Sequence, residues 1–143
     1  MVATLAATRV PAPATPMDAT LIAADGSQVV PNRHAAVQFG LVNVGAIALR
    51  LNSGATPDTY TDSELFYGDD LVTDFGTTLS EGMIALRRDL AERTKLAELA
   101  KNYPAPVITF TDGPIELWGN TDPNNARRYE ESVQQYLGAL SRL

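Results

Sequence analysis

Thr20-Leu-Ile-Ala-Ala-Asp-Gly-Ser27 and Val107-Ile-Thr-Phe-Thr-Asp-Gly113 are the two stretches that decide the fold of this chain. Each is a short run typical of a buried β-strand that leads into an aspartate and a glycine. An aspartate at the carboxyl end of a strand, followed by a glycine that lets the backbone turn away, can present its carboxylate to a divalent cation. Asp-Gly is also among the commonest turn dipeptides, so two ordinary turns are the alternative.

Between these stretches the sequence predicts two further strands. Residues 36–51 are mostly apolar and are expected to form one long strand with a bend or bulge near Gly45, because glycine inside a strand often marks one. Residues 52–58 have the composition of a loop, and residues 59–67 then form the returning strand of a hairpin.

A helix is predicted next. Thr78-Leu-Ser-Glu81 matches a capping box, in which the side chains of the first and last residues satisfy each other's free backbone amides. The apolar residues that follow recur at helical spacing, and two prolines end the helix by Tyr103. The apolar stripe consists of Leu79, Met83, Leu86, Leu90 and Ala97. A last helix has its own apolar face over residues 129–140, with Asp122 as its expected N-terminal cap.

The predicted order is therefore strand, long strand, strand, helix, strand, helix. This is the opening order of an α/β, ribonuclease H-like fold, with three meandering antiparallel strands, a crossover helix and a parallel fourth strand. A right-handed crossover puts the fourth strand beside the first and parallel to it. Asp25 and Asp112 would then end adjacent strands at one edge of the sheet.

Composition limits the possible functions. The chain has 143 residues, no cysteine, a single histidine (His34) and a formal net charge of −6. Thiolate nucleophiles, disulfides and zinc–thiolate sites are excluded, and a broad basic surface for nucleic acid is not expected. No apolar stretch is long enough to cross a membrane. Residues 1–17, rich in Ala, Thr and Pro, are expected to be a disordered tail or linker, and residues 18–143 to form one domain.

Four segments together resemble NurA-type nucleases over most of residues 19–143. The segments are Ala24-Asp-Gly-Ser-Gln28, Leu41-Val-Asn-Val-Gly-Ala-Ile-Ala-Leu-Arg50, Leu86-Arg-Arg-Asp-Leu-Ala-Glu92 and Phe110-Thr-Asp-Gly-Pro-Ile-Glu-Leu-Trp118. The resemblance implies a manganese-dependent hydrolase with a ribonuclease H-like fold. It also implies a cytoplasmic homodimer that degrades DNA together with a HerA-type hexameric ATPase translocase, in the end resection that begins recombinational DNA repair.

The resemblance also implies the site residues. Asp25 matches the first metal-binding aspartate of the family, and Asp112 matches the aspartate of its second Asp-Gly motif. Glu92 is the matching glutamate, because Arg88 precedes it by one turn as in the family, and Glu98 is the alternative. These three acids would hold Mn²⁺ or Mg²⁺, cations that prefer oxygen ligands. Candidate DNA contacts are Ser27, Arg50 and Arg88.

The position of Glu92 on the helix leaves two interpretations open. A helical wheel places it opposite the main apolar stripe, as a solvated glutamate paired with Arg88 one turn earlier. Ala85, Leu96 and Leu99 form a second, smaller apolar patch beside it. A helix that buries both sides would instead point Glu92 towards the edge of the sheet.

The chain departs from the family in its length. Complete NurA proteins continue beyond the helix that ends near Leu143 and add further strands, another acidic ligand, and late histidine and tyrosine positions. The sequence is therefore expected to be the N-terminal part of the nuclease domain, incomplete at its C-terminus. Two alternatives to a nuclease are a non-catalytic assembly fragment that docks the HerA-type ATPase, and an unrelated acidic α/β binding domain whose Asp-Gly pairs are turns.

Overall fold

The computed structural model describes residue 11 and residues 18–73, 76–113 and 126–143. Their regular elements, in chain order, are β1 (Thr20–Val29), β2 (Phe39–Arg50), β3 (Asp58–Tyr67), α1 (Glu81–Ala100), β4 (Val107–Phe110) and α2 (Ala126–Leu140), with a short 3₁₀ turn at Gly68–Leu71. The tail predicted for residues 1–17 lies outside the described residues except for Pro11, and so does the predicted cap at Asp122. None of the helices in the described ranges has the length and apolar character to span a bilayer.

The four strands form one mixed sheet in the order β3-β2-β1-β4. Strands β1, β2 and β3 pair antiparallel as a meander, and β4 pairs parallel with β1 from Thr20 opposite Val107 to Ala23 opposite Phe110. A parallel neighbour requires a crossover connection, which α1 supplies. The fold class predicted from the sequence, with its antiparallel meander, crossover helix and parallel fourth strand, is confirmed.

The core lies between the sheet and α1. Alternate residues of β2 are buried because successive side chains of a strand point to opposite faces. Helix α1 packs against β1 and β2 on that face, and α2 packs against α1. The side chains of Ile22, Ile84 and Leu96 are completely buried there. The sheet thus holds α1 at a fixed height over β1, which determines which helical residues meet Asp25 and Gly26.

Two expectations for the strands are wrong. Strand β1 does not end at Asp25, because Asp25 and Gly26 continue the ladder opposite Gly45 and Val44, and pairing runs on to Val29. Strand β2 has no bulge at Gly45, since its register with β1 and β3 is continuous through that residue. The long partner strand supplies backbone hydrogen bonds on both sides of Asp-Gly, and these outweigh the turn preference of the dipeptide.

The predicted capping box is also displaced. The N-terminal cap of α1 is Ser80, whose side chain accepts a hydrogen bond from the Met83 amide at 3.3 Å. Thr78 cannot cap the helix because it forms a β-bridge with Val72, and the amide of Leu79 is bonded to the carbonyl of Leu71 at 2.7 Å. Glu81 is consequently the first residue of the helix rather than its third.

Replacing Ser80 with alanine should lower the free energy of unfolding by about 1 kcal/mol, because the Met83 amide loses its capping acceptor. Urea denaturation of the wild type and the variant measures the difference. Thr78→Ala is the matched control and should change stability by less than about 0.5 kcal/mol. A larger loss for Thr78→Ala than for Ser80→Ala would show that the helix is capped at Thr78.

Candidate active site

A cavity of about 140 Å³ opens where β1, α1 and the turn after β4 converge. Strand β4 stops pairing with β1 at Ala23, so the next residues of β1 have a free edge beside the turn. The four residues that α1 contributes lie within two turns of the helix. The lining residues are Asp25, Gly26, Arg88, Asp89, Glu92, Arg93, Asp112 and Gly113.

Asp25 borders the cavity from β1 and is exposed. The alternation of the strand places Ala24 and Gly26 on the face that carries α1, and Asp25 on the opposite face. Its backbone is held in the ladder opposite Gly45. Asp25 therefore reaches the cavity only around the free edge of β1, beyond the last residue that β4 covers.

Gly26 provides room for α1 rather than a turn. A Cβ atom at this position would lie 2.6 Å from Glu92 Oε1 and 2.7 Å from Arg88 Cγ, closer than side chains tolerate. The glycine that does turn the chain is Gly113, whose φ of 79° lies in the left-handed region that favours glycine. The two Asp-Gly pairs thus have different structural roles.

Glu92 is buried, with 3% of its surface exposed. Its carboxylate accepts a hydrogen bond from Arg93 Nη1 at 2.9 Å and lies 3.4 Å from Arg88 Nε. Burial raises the pKa of Glu92 above its ordinary value, against the opposing effect of the two arginines, and the charges of Asp89 and Asp112 raise it further. Of the two interpretations of the helical wheel, the structure agrees with the one in which α1 buries both sides.

Arg88 is the partly exposed member of this group, with one third of its side chain accessible. Both its Nε and its Nη2 donate to Asp89 Oδ1, at 3.2 and 2.8 Å. That hydrogen bond to Asp89 is the main reason that the pKa of Arg88 is raised, and Glu92 and Asp112 contribute through their charges. Arg88 therefore stays positively charged at the mouth of the cavity.

Asp112 is exposed in the turn after β4. Its main-chain oxygen accepts hydrogen bonds from Arg93 Nη2 at 3.0 Å and from Thr111 Oγ1 at 3.3 Å. Its charge acts on both Glu92 and Arg88. The structure thus brings Glu92 and Asp112 together, with Asp25 at the rim of the same cavity.

The other sequence-based candidates are distributed over the molecule. Ser27 is exposed two residues beyond Asp25 on the same face, where Asn43 Nδ2 donates to its hydroxyl at 3.4 Å. Arg50 pairs with Asp18 at the other end of β1, and a strand rise of about 3.3 Å puts it roughly 17 Å from Asp25. Glu98 lines a different cavity, of about 590 Å³, and pairs with Lys95 at 3.5 Å.

The cavity suits a hard divalent cation by its chemistry. Four acidic residues line it, and its volume is several times the roughly 30 Å³ share of one liquid water, so a partly hydrated cation has room. In the part of the chain that the structure describes, however, no three acidic or histidine side chains are gathered closely enough to hold a metal ion. The donor set fits, and cation binding requires the carboxylates to move towards one another.

Sequence reasoning missed two residues of this site, Asp89 and Arg93. Arg93 had a detectable signal, because it falls in line with Leu86, Leu90 and Ala97 at spacings of three and four residues. An arginine within an apolar stripe of a helix indicates a buried charge that needs a partner. Asp89 had no such signal in the sequence, since an acid next to an arginine on a helix is ordinary surface composition.

Comparison with known proteins identifies the family. The NurA domain matches residues 19–143 of this chain. The chain belongs to the NurA family. This confirms the sequence resemblance, and it removes the alternative of an unrelated acidic binding domain. No curated protein matches the chain.

Solved structures similar to the chain include two NurA proteins and a ribonuclease H. A crystal structure of NurA has a TM-score of 0.48 and 14% identity, with 92% of this chain and 31% of that chain covered. The NurA nuclease from Sulfolobus solfataricus has a TM-score of 0.43 and 10% identity, with 88% of this chain and 42% of that chain covered. LC9-RNase H1, a type 1 RNase H with the type 2 active-site motif, has a TM-score of 0.41 and 15% identity. The match covers 85% of this chain and 59% of that chain. The chain thus spans between 31% and 59% of the length of these proteins.

Proposed function

We propose that this chain carries the metal site of a DNA nuclease, with Asp25, Glu92 and Asp112 as ligands of Mn²⁺ or Mg²⁺. The observation that carries the proposal is that one cavity is lined by acids from β1, α1 and the turn after β4 in a member of the NurA family. Ligands that come from three packed elements are each held in place by the fold, which favours a preorganised metal site.

The chain's own residues would bind and orient the substrate. A bound divalent cation would supply Lewis-acid stabilisation and an activated water for phosphodiester hydrolysis. The Arg88 guanidinium, charged and partly exposed at the mouth of the cavity, would attract a phosphate and donate to it in exchange for Asp89. The exposed Ser27 hydroxyl offers a neutral contact on the side of Asp25, and Arg50 would meet a DNA strand only at a distance from the site.

A non-catalytic role as an assembly fragment is the second candidate. It is favoured by the ion pairs that both arginines form with Glu92, since these already neutralise the carboxylate. In that case the chain would contribute a folded surface for a HerA-type ATPase without cleaving DNA. Both versions of the proposal include participation in DNA end resection and repair, a homodimeric state and a cytoplasmic location.

The proposal is tested by titrating Mn²⁺ into the protein by calorimetry. Wild type should bind in the micromolar range, and Asp112→Ala and Asp25→Ala should each weaken binding at least 10-fold, because a hard cation loses an oxygen ligand. Glu130→Ala removes the same charge from an exposed position on α2 and should leave the affinity unchanged.

A nuclease assay on linear DNA with Mn²⁺ then separates the two candidates. Cleavage that is lost in Asp112→Ala supports the nuclease. Binding of Mn²⁺ without cleavage by the wild type would favour the assembly role. No Mn²⁺ binding by a folded wild-type sample would contradict the metal site itself.

A further inference from the structure

Arg93 connects two of the three proposed ligands, Glu92 on α1 and Asp112 in the turn after β4. It is buried to 3% exposure, and its two terminal nitrogens point to different partners. Nη1 donates to the carboxylate of Glu92 at 2.9 Å, and Nη2 donates to the main-chain oxygen of Asp112 at 3.0 Å. The guanidinium also lies over the ring of Tyr136 on α2, 5.8 Å from its centroid.

We propose that Arg93 is the positioning residue of the site: its guanidinium fixes the Glu92 carboxylate relative to the turn that carries Asp112. The inference rests on the proposed function, because it assigns a task to Arg93 in metal binding. Arg93 itself would contact neither the cation nor DNA. It would act through Glu92 and through the backbone of the turn.

The geometry requires an arginine rather than any cation. A planar guanidinium presents its two terminal nitrogens at a fixed separation, whereas a lysine ammonium is a point charge that cannot hold two acceptors at a set spacing. The arrangement also tolerates an unfavourable feature, since Arg93 Nε is buried and has no hydrogen-bond partner within the described residues. Leaving a buried donor unpaired is costly, so the retained contacts to Glu92 and Asp112 must outweigh that cost.

Arg88 and Arg93 have different environments although both contact Glu92. Arg88 is partly exposed and has Asp89 as a second partner, so it can release Glu92 without losing its counter-charge. Arg93 is enclosed, and its partners are Glu92, the Asp112 carbonyl and Tyr136. When a cation enters the cavity, Arg88 can therefore move aside while Arg93 keeps both ligand-bearing segments in place.

The test compares Arg93→Lys and Arg93→Gln with wild type in two measurements. The first is the dissociation constant for Mn²⁺ by calorimetry, well below the unfolding temperature of each variant. The second is hydrogen exchange of residues 107–113, which reports how firmly the turn is held. Arg93→Lys retains a charge beside Glu92 and is the variant to use if Arg93→Gln does not fold.

Arg87→Gln is the matched control. Arg87 lies on the same helix, is partly buried, and packs over Phe66 at 4.3 Å from the ring centroid, but it does not line the cavity. Its replacement should reduce thermal stability without changing either measurement. A purely structural Arg93 would give this same result.

We expect Mn²⁺ binding at least 10-fold weaker in both Arg93 variants, the size seen when a group that orients a metal ligand is removed. Exchange of residues 107–113 should be about 10-fold faster, since a hydrogen bond to a charged group is lost. Wild-type affinity in Arg93→Lys would overturn the inference while leaving the proposed function intact. If wild type binds no Mn²⁺, the proposed function fails, and the exchange measurement alone decides whether Arg93 holds the turn.

Discussion

Replacing Glu92 with leucine should lower the free energy of unfolding by about 3–5 kcal/mol, the cost of removing one partner from a buried ion pair. Glu92 and Arg93 are each 3% exposed and are joined by a hydrogen bond of 2.9 Å. Without the carboxylate, the Arg93 guanidinium stays in the interior with only the Asp112 carbonyl and the Tyr136 ring as polar contacts among those described above. A leucine side chain fills similar space but offers no acceptor.

The double variant Glu92→Leu/Arg93→Met should recover much of this loss. Exchanging a whole buried ion pair for apolar residues of similar volume is often neutral, because the desolvation of both charges disappears together. The coupling energy between the two positions should therefore be large and favourable, as a double-mutant cycle measured by urea denaturation would record.

Glu98→Leu is the control for this experiment. Glu98 is on the same helix, but it is exposed and pairs with Lys95 across 3.5 Å at the surface. An ion pair whose carboxylate is largely in solvent contributes little, and Lys95 keeps Asp62 as a partner, so stability should change by less than about 1 kcal/mol. Equal effects of Glu92→Leu and Glu98→Leu would mean that Glu92 is solvated, as the simple helical wheel suggested.

The sheet and its connections were predictable from the sequence because they depend on periodicity and handedness. Strand β2 alternates more and less buried residues over its first eleven positions, and helix α1 lies between β3 and β4 in the chain. A helix between two strands of one sheet crosses over with one hand, which fixes β4 beside β1 and parallel to it. The approach of the Asp25 and Asp112 segments follows from that topology alone.

The details of the site were not predictable, because they depend on distances between elements. The sequence gives no measure of how closely α1 approaches β1, so Gly26 resembled a turn residue. A helical wheel likewise places Glu92 only on a sector of the helix, and the second buried side of α1 decides its environment. The role of Arg93 can be inferred only from the structure, in which its Nη2 lies within hydrogen-bond distance of the Asp112 carbonyl, at 3.0 Å.

Gly26→Ala should destabilise the protein by about 1–3 kcal/mol, the usual cost of forcing extra atoms into a packed interior. The new Cβ would lie 2.6 Å from Glu92 Oε1, 2.7 Å from Arg88 Cγ and 3.1 Å from the Asn43 carbonyl. The end of a glutamate side chain could normally move away, but Arg88 and Arg93 hold this one from both sides. The Asn43 carbonyl is part of β2 and cannot move without disturbing the sheet.

Gly45→Ala is a control with the opposite expected sign. Gly45 is a mid-strand glycine opposite Asp25, and the nearest atom to an added Cβ is the Asp25 carbonyl at an ordinary 3.9 Å. Alanine there should stabilise the protein by about 0.5–1 kcal/mol, because glycine loses more backbone entropy in a strand. Urea denaturation of both variants gives the comparison directly.

Stabilisation by both substitutions would mean that α1 does not press Glu92 against β1, and the cavity would then have a different shape. If only Gly26→Ala destabilises the protein and it also weakens Mn²⁺ binding, the position of the Glu92 carboxylate depends on the absence of a side chain at residue 26 of β1.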